Sequence, residues 1–166
     1  MAELTQKERL QPSLLDRLRD DNPDEKQESR EQRVLSTRQL RESVLRDLAW
    51  LFNAIDLASA QDLDPYPLAA RSVLNYGLPD LAGKAAAGMD ITTLERLLRQ
   101  AIWDFEPRIM KNTVKVRAVV AEDQMNQHAI AFDIEGQLWA QPLPLPLYVK
   151  TVIDLVDGSI KVTGQG

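Results

Sequence analysis

The stretch Phe105-Glu106-Pro107-Arg108-Ile109 divides the chain into two parts with different hydrophobic periods. Before it, apolar residues recur at the spacing of amphipathic helices, and after it they alternate with a period near two, as in strands. Pro107 disfavours helix at the preceding residue, so the preceding helix is predicted to end at Glu106. Helices first and strands last predict an α+β fold, with N-terminal helices packed on a small, largely antiparallel C-terminal β-sheet.

Two long helices are predicted on the N-terminal side of this stretch. The first begins at Ser36, which forms a capping box pattern with Gln39, and the second follows Gly88 with Asp90 as its N-cap. Their apolar faces consist of Leu40, Val44, Leu48, Leu51, Phe52 and Ile55 in the first helix, and Leu94, Leu97, Leu98, Ala101, Ile102 and Phe105 in the second. The charged residues off the first face are interpreted as a solvated surface; they are Arg38, Arg41, Arg46 and Asp47.

The connection between the two helices is rich in aspartate, proline and glycine. Pro67 suits the first position of a short helix that is predicted to run to about Asn75, with Val73 and Leu74 as its apolar contacts. Gly77 is the residue expected to end this helix. The aspartates of the connection match no calcium-loop spacing, so they are interpreted as loop residues rather than as a cation site.

The C-terminal part is predicted to form strands. Alternating patterns begin at Val114, Ile130 and Tyr148, and Ile160 begins a return strand after the turn signal Asp157-Gly158. Glu135-Gly136 interrupts the second pattern and is predicted to be a bend or bulge. Three prolines are assigned to an extended connection or to an edge, because proline cannot donate a ladder hydrogen bond; they are Pro142, Pro144 and Pro146.

The N-terminal residues 1–35 are predicted to be a docking arm and a charged linker ahead of a domain at residues 36–163. Residues 1–20 carry a short apolar helical stripe, whereas residues 20–35 are almost entirely charged or amide-bearing and cannot form a core. Two interpretations of the stripe remain open. It either packs on its own domain or serves as a peptide for a partner protein.

Composition excludes several classes of function. The 166 residues carry a net charge of −5 and contain no cysteine, so thiolate chemistry is excluded and phosphate neutralisation is disfavoured. The N-terminus lacks the apolar core of a signal peptide, and no apolar run is long enough to span a membrane. A soluble cytoplasmic protein is therefore expected.

No catalytic motif is visible in the sequence. The single histidine, His128, lacks companion metal ligands and is interpreted as a surface residue. Asp104 and Glu106 suggest the paired carboxylates of a glycoside hydrolase, but Arg108 nearby favours an ionised Glu106 rather than a protonated general acid. Ion pairing therefore suits Glu106 and Arg108 better. The pair lies either within the chain or across an interface with a partner, and spacing does not choose between these alternatives.

Several motifs together resemble the TssE family of the type VI secretion system, which is related to the baseplate wedge protein of contractile-tailed phages. These motifs are Leu14-Leu15-Asp16-Arg17-Leu18, Val44-Leu45-Arg46-Asp47-Leu48, Ser72-Val73-Leu74-Asn75-Tyr76-Gly77, Asp80-Leu81-Ala82-Gly83, Phe105-Glu106-Pro107-Arg108-Ile109 and Ile153-Asp154-Leu155 with Gly158. The resemblance covers nearly the whole chain.

The resemblance implies a structural role without enzymatic activity or cofactors. It implies contacts with the wedge subunits TssF and TssG and with the sheath subunits TssB and TssC, and TssK is a further candidate partner. The baseplate is expected in the cytoplasm, docked at the inner membrane. The implied partner-binding residues are Glu106, Pro107 and Arg108, together with Leu14, Leu15 and Leu18 in the arm. Two alternatives remain, namely a peptidoglycan-cleaving hydrolase using Glu106 and a generic cytosolic adaptor whose arm binds one partner.

Overall fold

A computed structural model describes residues 36–82, 90–119, 129–140 and 143–165, together with Ser13, Asp16 and Leu18. Its helices and strands are α1 (Thr37–Asn53), α2 (Pro67–Ala70), α3 (Ile91–Phe105), β1 (Lys115–Val119), β2 (Ala129–Leu138), β3 (Leu145–Asp154) and β4 (Ile160–Gln165). Several residues and segments discussed above lie outside the described residues: Leu14, Leu15, Arg17, the linker 20–35, Gly83, Gly88, His128 and Pro142.

The strands form one antiparallel sheet in the order β1-β2-β3-β4. The predicted α+β architecture, with helices before an antiparallel sheet, is confirmed. The core contains fully buried residues from both helices and from one face of the sheet, among them Leu48, Ile102, Phe132 and Ile153. α1 contacts β4, and α3 contacts β1, so the two long helices pack near opposite edges of the sheet.

Local signals placed the starts of both long helices and the end of α3 correctly. The backbone N–H of Gln39 donates to Ser36 Oγ at 3.2 Å, and the N–H of Ser36 donates to Gln39 Oε1 at 2.9 Å, so the capping box is confirmed. Asp90 caps α3 by accepting a hydrogen bond from the Thr92 N–H. α3 ends at Phe105, with Glu106 as its C-cap, as the position of Pro107 predicted.

The prediction for the connection between the helices was partly wrong. α2 does start at Pro67, but it ends at Ala70, and a separate 3₁₀ turn forms at Val73–Asn75. Ser72 separates the two elements, because its Oγ donates to the Ala69 carbonyl and accepts from the Leu74 N–H. As a result, both Val73 and Leu74 are exposed rather than packed.

Ile55 was also misplaced by the helical pattern. α1 ends at Asn53, and Ile55 forms a parallel bridge with Leu78 that leaves its side chain exposed. The bridge closes the loop of residues 54–78 at its base, which the apolar period of α1 could not indicate.

One strand prediction needs correction, the bulge at Gly136, whereas the edge position predicted for Pro146 is confirmed. β2 runs without a bulge through Gly136, which pairs with Leu147; a side chain there would approach Ile109 Cγ2 to 3.0 Å, so the glycine provides room for packing. Pro146 lies inside β3 opposite Gln137. It is accommodated because pairing with β4 reaches only to Tyr148, so no neighbouring strand needs the missing N–H of Pro146.

The Asp157-Gly158 turn between β3 and β4 is confirmed. Gly158 has a positive φ of 75°, and its N–H donates to the Asp154 carbonyl at 2.9 Å. At the start of β4, the side chain of Asn53 hydrogen-bonds to both the N–H and the carbonyl of Ile160, at 2.9 and 2.8 Å. The end of α1 is thereby attached to the outer edge of the sheet. Within the described part of the chain, none of the helices has the length and apolarity needed to cross a membrane.

Candidate functional site

The Glu106-Pro107-Arg108 triplet follows the end of α3 and is hydrogen-bonded to the residue that follows β2. The Glu106 N–H donates to the Ile102 carbonyl at 2.9 Å, which completes the helix, and the Ile109 N–H donates back to the Glu106 carbonyl at 3.2 Å. The carbonyl of Arg108 then accepts a hydrogen bond from the Trp139 N–H at 2.7 Å. The triplet is therefore a tight turn held at both ends, with Pro107 exposed on its outer side.

The guanidinium of Arg108 is the centre of a hydrogen-bonded charge cluster. Its Nε donates to Glu106 Oε1 at 2.7 Å, and its Nη2 donates to the other Glu106 carboxylate oxygen. Nη2 also contacts Asp47 Oδ2 at 2.6 Å, and Nη1 donates to Ser43 Oγ at 2.9 Å. Glu106 is only 4% exposed. Arg108 therefore pairs within the chain, joining the turn to the middle of α1.

The same cluster continues toward the N-terminal arm through Arg46. Arg46 donates to Asp47 Oδ1 at 2.8 and 2.9 Å and to Asp16 Oδ1 at 2.6 Å. Asp16 also accepts hydrogen bonds from the hydroxyls of Ser43, at 3.0 Å, and Ser13, at 2.7 Å. A continuous series of charges thus runs from the arm to the triplet. Interpreting Arg46 and Asp47 as ordinary solvated residues was wrong, because Arg46 is hydrogen-bonded to Asp16 and Asp47 to Arg108.

These contacts shift the acid–base equilibria of the cluster. Burial lowers the pKa of Arg108, but the hydrogen bonds and charge of Glu106, followed by those of Asp47, raise that pKa above its ordinary value. Burial, assisted by the charges of Asp47 and Glu106, raises the pKa of the Tyr76 phenol. Arg108 is therefore charged, and the Tyr76 phenol is protonated, at neutral pH.

We expect the Asp16 carboxyl to titrate well below an ordinary aspartate. Burial raises its pKa, but hydrogen bonds from Arg46, Ser13 and Ser43, together with the charge of Arg46, lower it from 3.8 to about 2. A lowered folded-state pKa means that the stabilisation is complete above about pH 4 and is lost as the pH falls toward 2. Carboxyl ¹³C NMR measures this pKa directly. In the Arg46→Gln variant we expect the Asp16 pKa to rise toward 3.8; an unchanged pKa would contradict the assigned contact.

An open cleft of about 440 Å³ lies next to this cluster. It is lined by Ser13, Asp47, Trp50, Leu51, Tyr76, Phe105, Glu106, Pro107 and Arg108. The rings of Tyr76 and Phe105 meet edge to face, with centroids 5.2 Å apart. Trp50 is half exposed, and the guanidinium of Arg46 lies over its ring at 5.0 Å from the centroid. The cleft is therefore an aromatic surface whose charged base is already internally paired.

Sequence reasoning identified the triplet but missed Ser43 and Asp47, which hydrogen-bond to Arg108, and Trp50 and Tyr76, which line the cleft beside it. The sequence did contain a signal for Trp50. This tryptophan lies off the apolar face of α1 and four residues after Arg46, so an exposed aromatic ring beside a cation could have been predicted. Of the predicted arm residues, Leu18 is helical and 73% exposed, without a place in the cleft wall.

The two carboxylates considered for acid catalysis are held by different groups. Asp104 is exposed and accepts a hydrogen bond from Gln100 Nε2 at 2.9 Å, whereas both oxygens of Glu106 are bound by Arg108. A carboxylate bound in this way is poorly suited to donate a proton to a substrate. Among the residues that the structure describes, no cluster of three or more potential ligands for a metal ion is found.

Comparison with known proteins gives the class of this chain. The family model of baseplate wedge protein gp25 matches residues 38–143, which include α1, the connecting loop, the triplet and β2. The chain therefore belongs to the baseplate wedge protein gp25 family, whose members are structural components that interact with other parts of a baseplate. Searches of curated proteins and of solved structures gave no match.

Proposed function

We propose that this chain is the TssE subunit of a type VI secretion baseplate, where it joins the wedge subunits TssF and TssG to the contractile sheath of TssB and TssC. TssK is a further candidate partner, and the baseplate is docked at the inner membrane on its cytoplasmic side. Membership of the wedge family supports the structural role, and the order of motifs along the chain favours the secretion-system branch.

The observation that carries the wedge contact is the aromatic cleft around the triplet. Trp50 and Pro107 are exposed at its rim, and aromatic residues in such positions are typical binding anchors. Glu106 and Arg108 support this surface from below by fixing the turn. We therefore assign the direct contacts to Trp50 and Pro107, with the arm residues Leu14, Leu15 and Leu18 as a second wedge contact.

Wedge binding is tested at the rim, because replacing Arg108 would disturb the fold as well as the interface. We expect Trp50→Ala to weaken binding to purified TssF–TssG complex by about tenfold or more. Tyr148→Ala is the matched control, since Tyr148 is a similarly exposed aromatic on the sheet and does not line the cleft. Calorimetry or interferometry gives both affinities. Equal affinities for the two variants would refute the assignment of the cleft.

For the sheath contact we propose the outer edge of β4. The pairing with β3 leaves the backbone groups of Ile160, Val162 and Gly164 directed outward. Those of Ile160 are bound by Asn53, but among the described residues none hydrogen-bonds to those of Val162 or Gly164. At the opposite edge of the sheet, Glu95 binds the Ala118 N–H at 2.7 Å. A strand added by a sheath subunit would therefore pair at residues 162–164.

A proline at residue 162 tests the sheath contact. We expect Val162→Pro to remove the outward N–H without breaking a bond to β3, and so to abolish sheath assembly while wedge binding is retained. Val162→Thr is the control, because it keeps the N–H and a branched side chain. Sheath assembly is followed by electron microscopy of cells that carry each variant. Normal sheaths with Val162→Pro would exclude strand addition at this edge.

A further inference from the structure

The loop between α1 and α3 carries a second exposed surface, formed by side chains other than Tyr76, which is the loop residue that lines the cleft. Its base is closed by two backbone hydrogen bonds of 2.9 Å, from the Asp56 N–H to the Leu78 carbonyl and from the Leu78 N–H to the Ala54 carbonyl. Within the loop, the side chain of Asn75 accepts from the Ala58 N–H at 2.9 Å and donates to the Ala70 carbonyl at 3.1 Å. The loop thus has a definite shape that its own polar groups maintain.

This ordered loop presents large apolar side chains to solvent. Tyr66 is 64% exposed, Leu68 88%, Val73 79% and Leu74 68%. They lie on or next to α2 and the adjoining 3₁₀ turn, which pack against each other. Single exposed apolar residues are common, but a group of four on adjacent turns is typical of an interaction site. We call these four residues the loop platform. None of them lines the aromatic cleft.

The charges around the loop platform indicate the chemistry of its partner. Asp62 and Asp64 are exposed and lie within four residues of Tyr66, and they form the acidic border of the platform. The whole loop from residue 54 to residue 82 contains four carboxylates, Asp56, Asp62, Asp64 and Asp80, and a single basic residue, Arg71. Apolar side chains bordered by acidic groups complement a helix with an apolar face and basic flanks. A second copy of this chain fits poorly, because a two-fold contact would bring two acidic borders together.

We propose that the loop platform is a docking site for a cationic amphipathic helix of a partner protein. The site is separate from the wedge and sheath contacts proposed above, so its validity does not depend on them. Because the loop is already ordered, binding would require little loss of backbone freedom.

A designed peptide provides the first test. The probe is a fluorescent leucine–lysine amphipathic helix of about 18 residues, or about five helical turns, compared with a scrambled peptide of the same composition. We expect fluorescence anisotropy to detect binding of the amphipathic peptide only. Leu68→Ser should weaken that binding by about tenfold or more, whereas Leu143→Ser, at a leucine that is 73% exposed elsewhere on the chain, should leave it unchanged.

The acidic border is tested by neutralising Asp62 and Asp64. In the double variant Asp62→Asn, Asp64→Asn, residue 62 keeps the Oδ1 that accepts the backbone N–H of residue 64. We expect the affinity for the amphipathic peptide to fall about threefold or more, and the salt dependence of that affinity to decrease. Asp104→Asn, at an exposed aspartate on α3, is the charge control. Equal binding of both peptides, or equal effects of Leu68→Ser and Leu143→Ser, would overturn the proposal. So would concentration-dependent dimerisation in sedimentation velocity that Leu68→Ser abolishes.

Discussion

Replacement of Arg108 by methionine is expected to lower the free energy of unfolding by about 3–5 kcal/mol, because it leaves the buried carboxylate of Glu106 without a cation. Glu106 loses both hydrogen bonds from the Arg108 side chain and keeps only the one from the backbone N–H of residue 108. Asp47 loses its contact at 2.6 Å but keeps its hydrogen bonds from Arg46. The methionine fills similar space, so the effect reports the charge and hydrogen bonds rather than a cavity. Urea unfolding followed by circular dichroism measures the change.

Two further variants separate this effect from a general loss of positive charge. Arg38→Met removes an exposed arginine that pairs with Glu42, and it should change the free energy of unfolding far less than Arg108→Met, because exposed ion pairs contribute little. Adding Glu106→Gln to Arg108→Met removes the unpaired charge, so the double variant should recover part of the lost stability. Equal losses for Arg38→Met and Arg108→Met would show that the cluster has no special structural role.

The second large effect is expected for Gly77→Ala, with a loss on the order of 3 kcal/mol. Gly77 has a φ of 132°, which residues with a side chain rarely adopt, and an added Cβ would lie 2.4 Å from the Ala54 carbonyl oxygen. That oxygen belongs to the backbone at the base of the loop, where it accepts the Leu78 N–H, so it cannot move without opening the Ile55–Leu78 bridge. Thermal and urea unfolding give the loss.

Gly164→Ala is the matched control for this prediction. The added Cβ would meet Leu45 Cδ1 at 2.5 Å, but this contact is the end of a flexible side chain and the backbone at Gly164 is not at positive φ. We expect a loss well below that of Gly77→Ala, because Leu45 can change rotamer. If the two alanines destabilise the protein equally, backbone conformation is not the reason for the glycine at position 77.

The features that were read correctly from the sequence depend on groups a few residues apart. The Ser36–Gln39 capping box, the Asp90 cap and the helix end before Pro107 each involve hydrogen bonds or steric contacts within one turn. The change of hydrophobic period at the triplet was sufficient for the α+β class, because the side that each residue presents follows from its position along a helix or strand. The Asp157-Gly158 turn is local in the same sense.

The candidate site depends on contacts between distant parts of the chain. Arg108 reaches residues of α1 that precede it by 61 and 65 positions, Asp47 and Ser43, and no spacing rule indicates such a meeting. Pro146 could be placed in β3 only once the length of β4 was known. The hydrogen bonds between Glu106 and Arg108 within the chain are likewise seen only in the packed structure. Local sequence patterns specify which helices and strands form. The neighbours of a side chain across the core depend on how those helices and strands pack together. The aromatic cleft could therefore not be derived from the sequence alone.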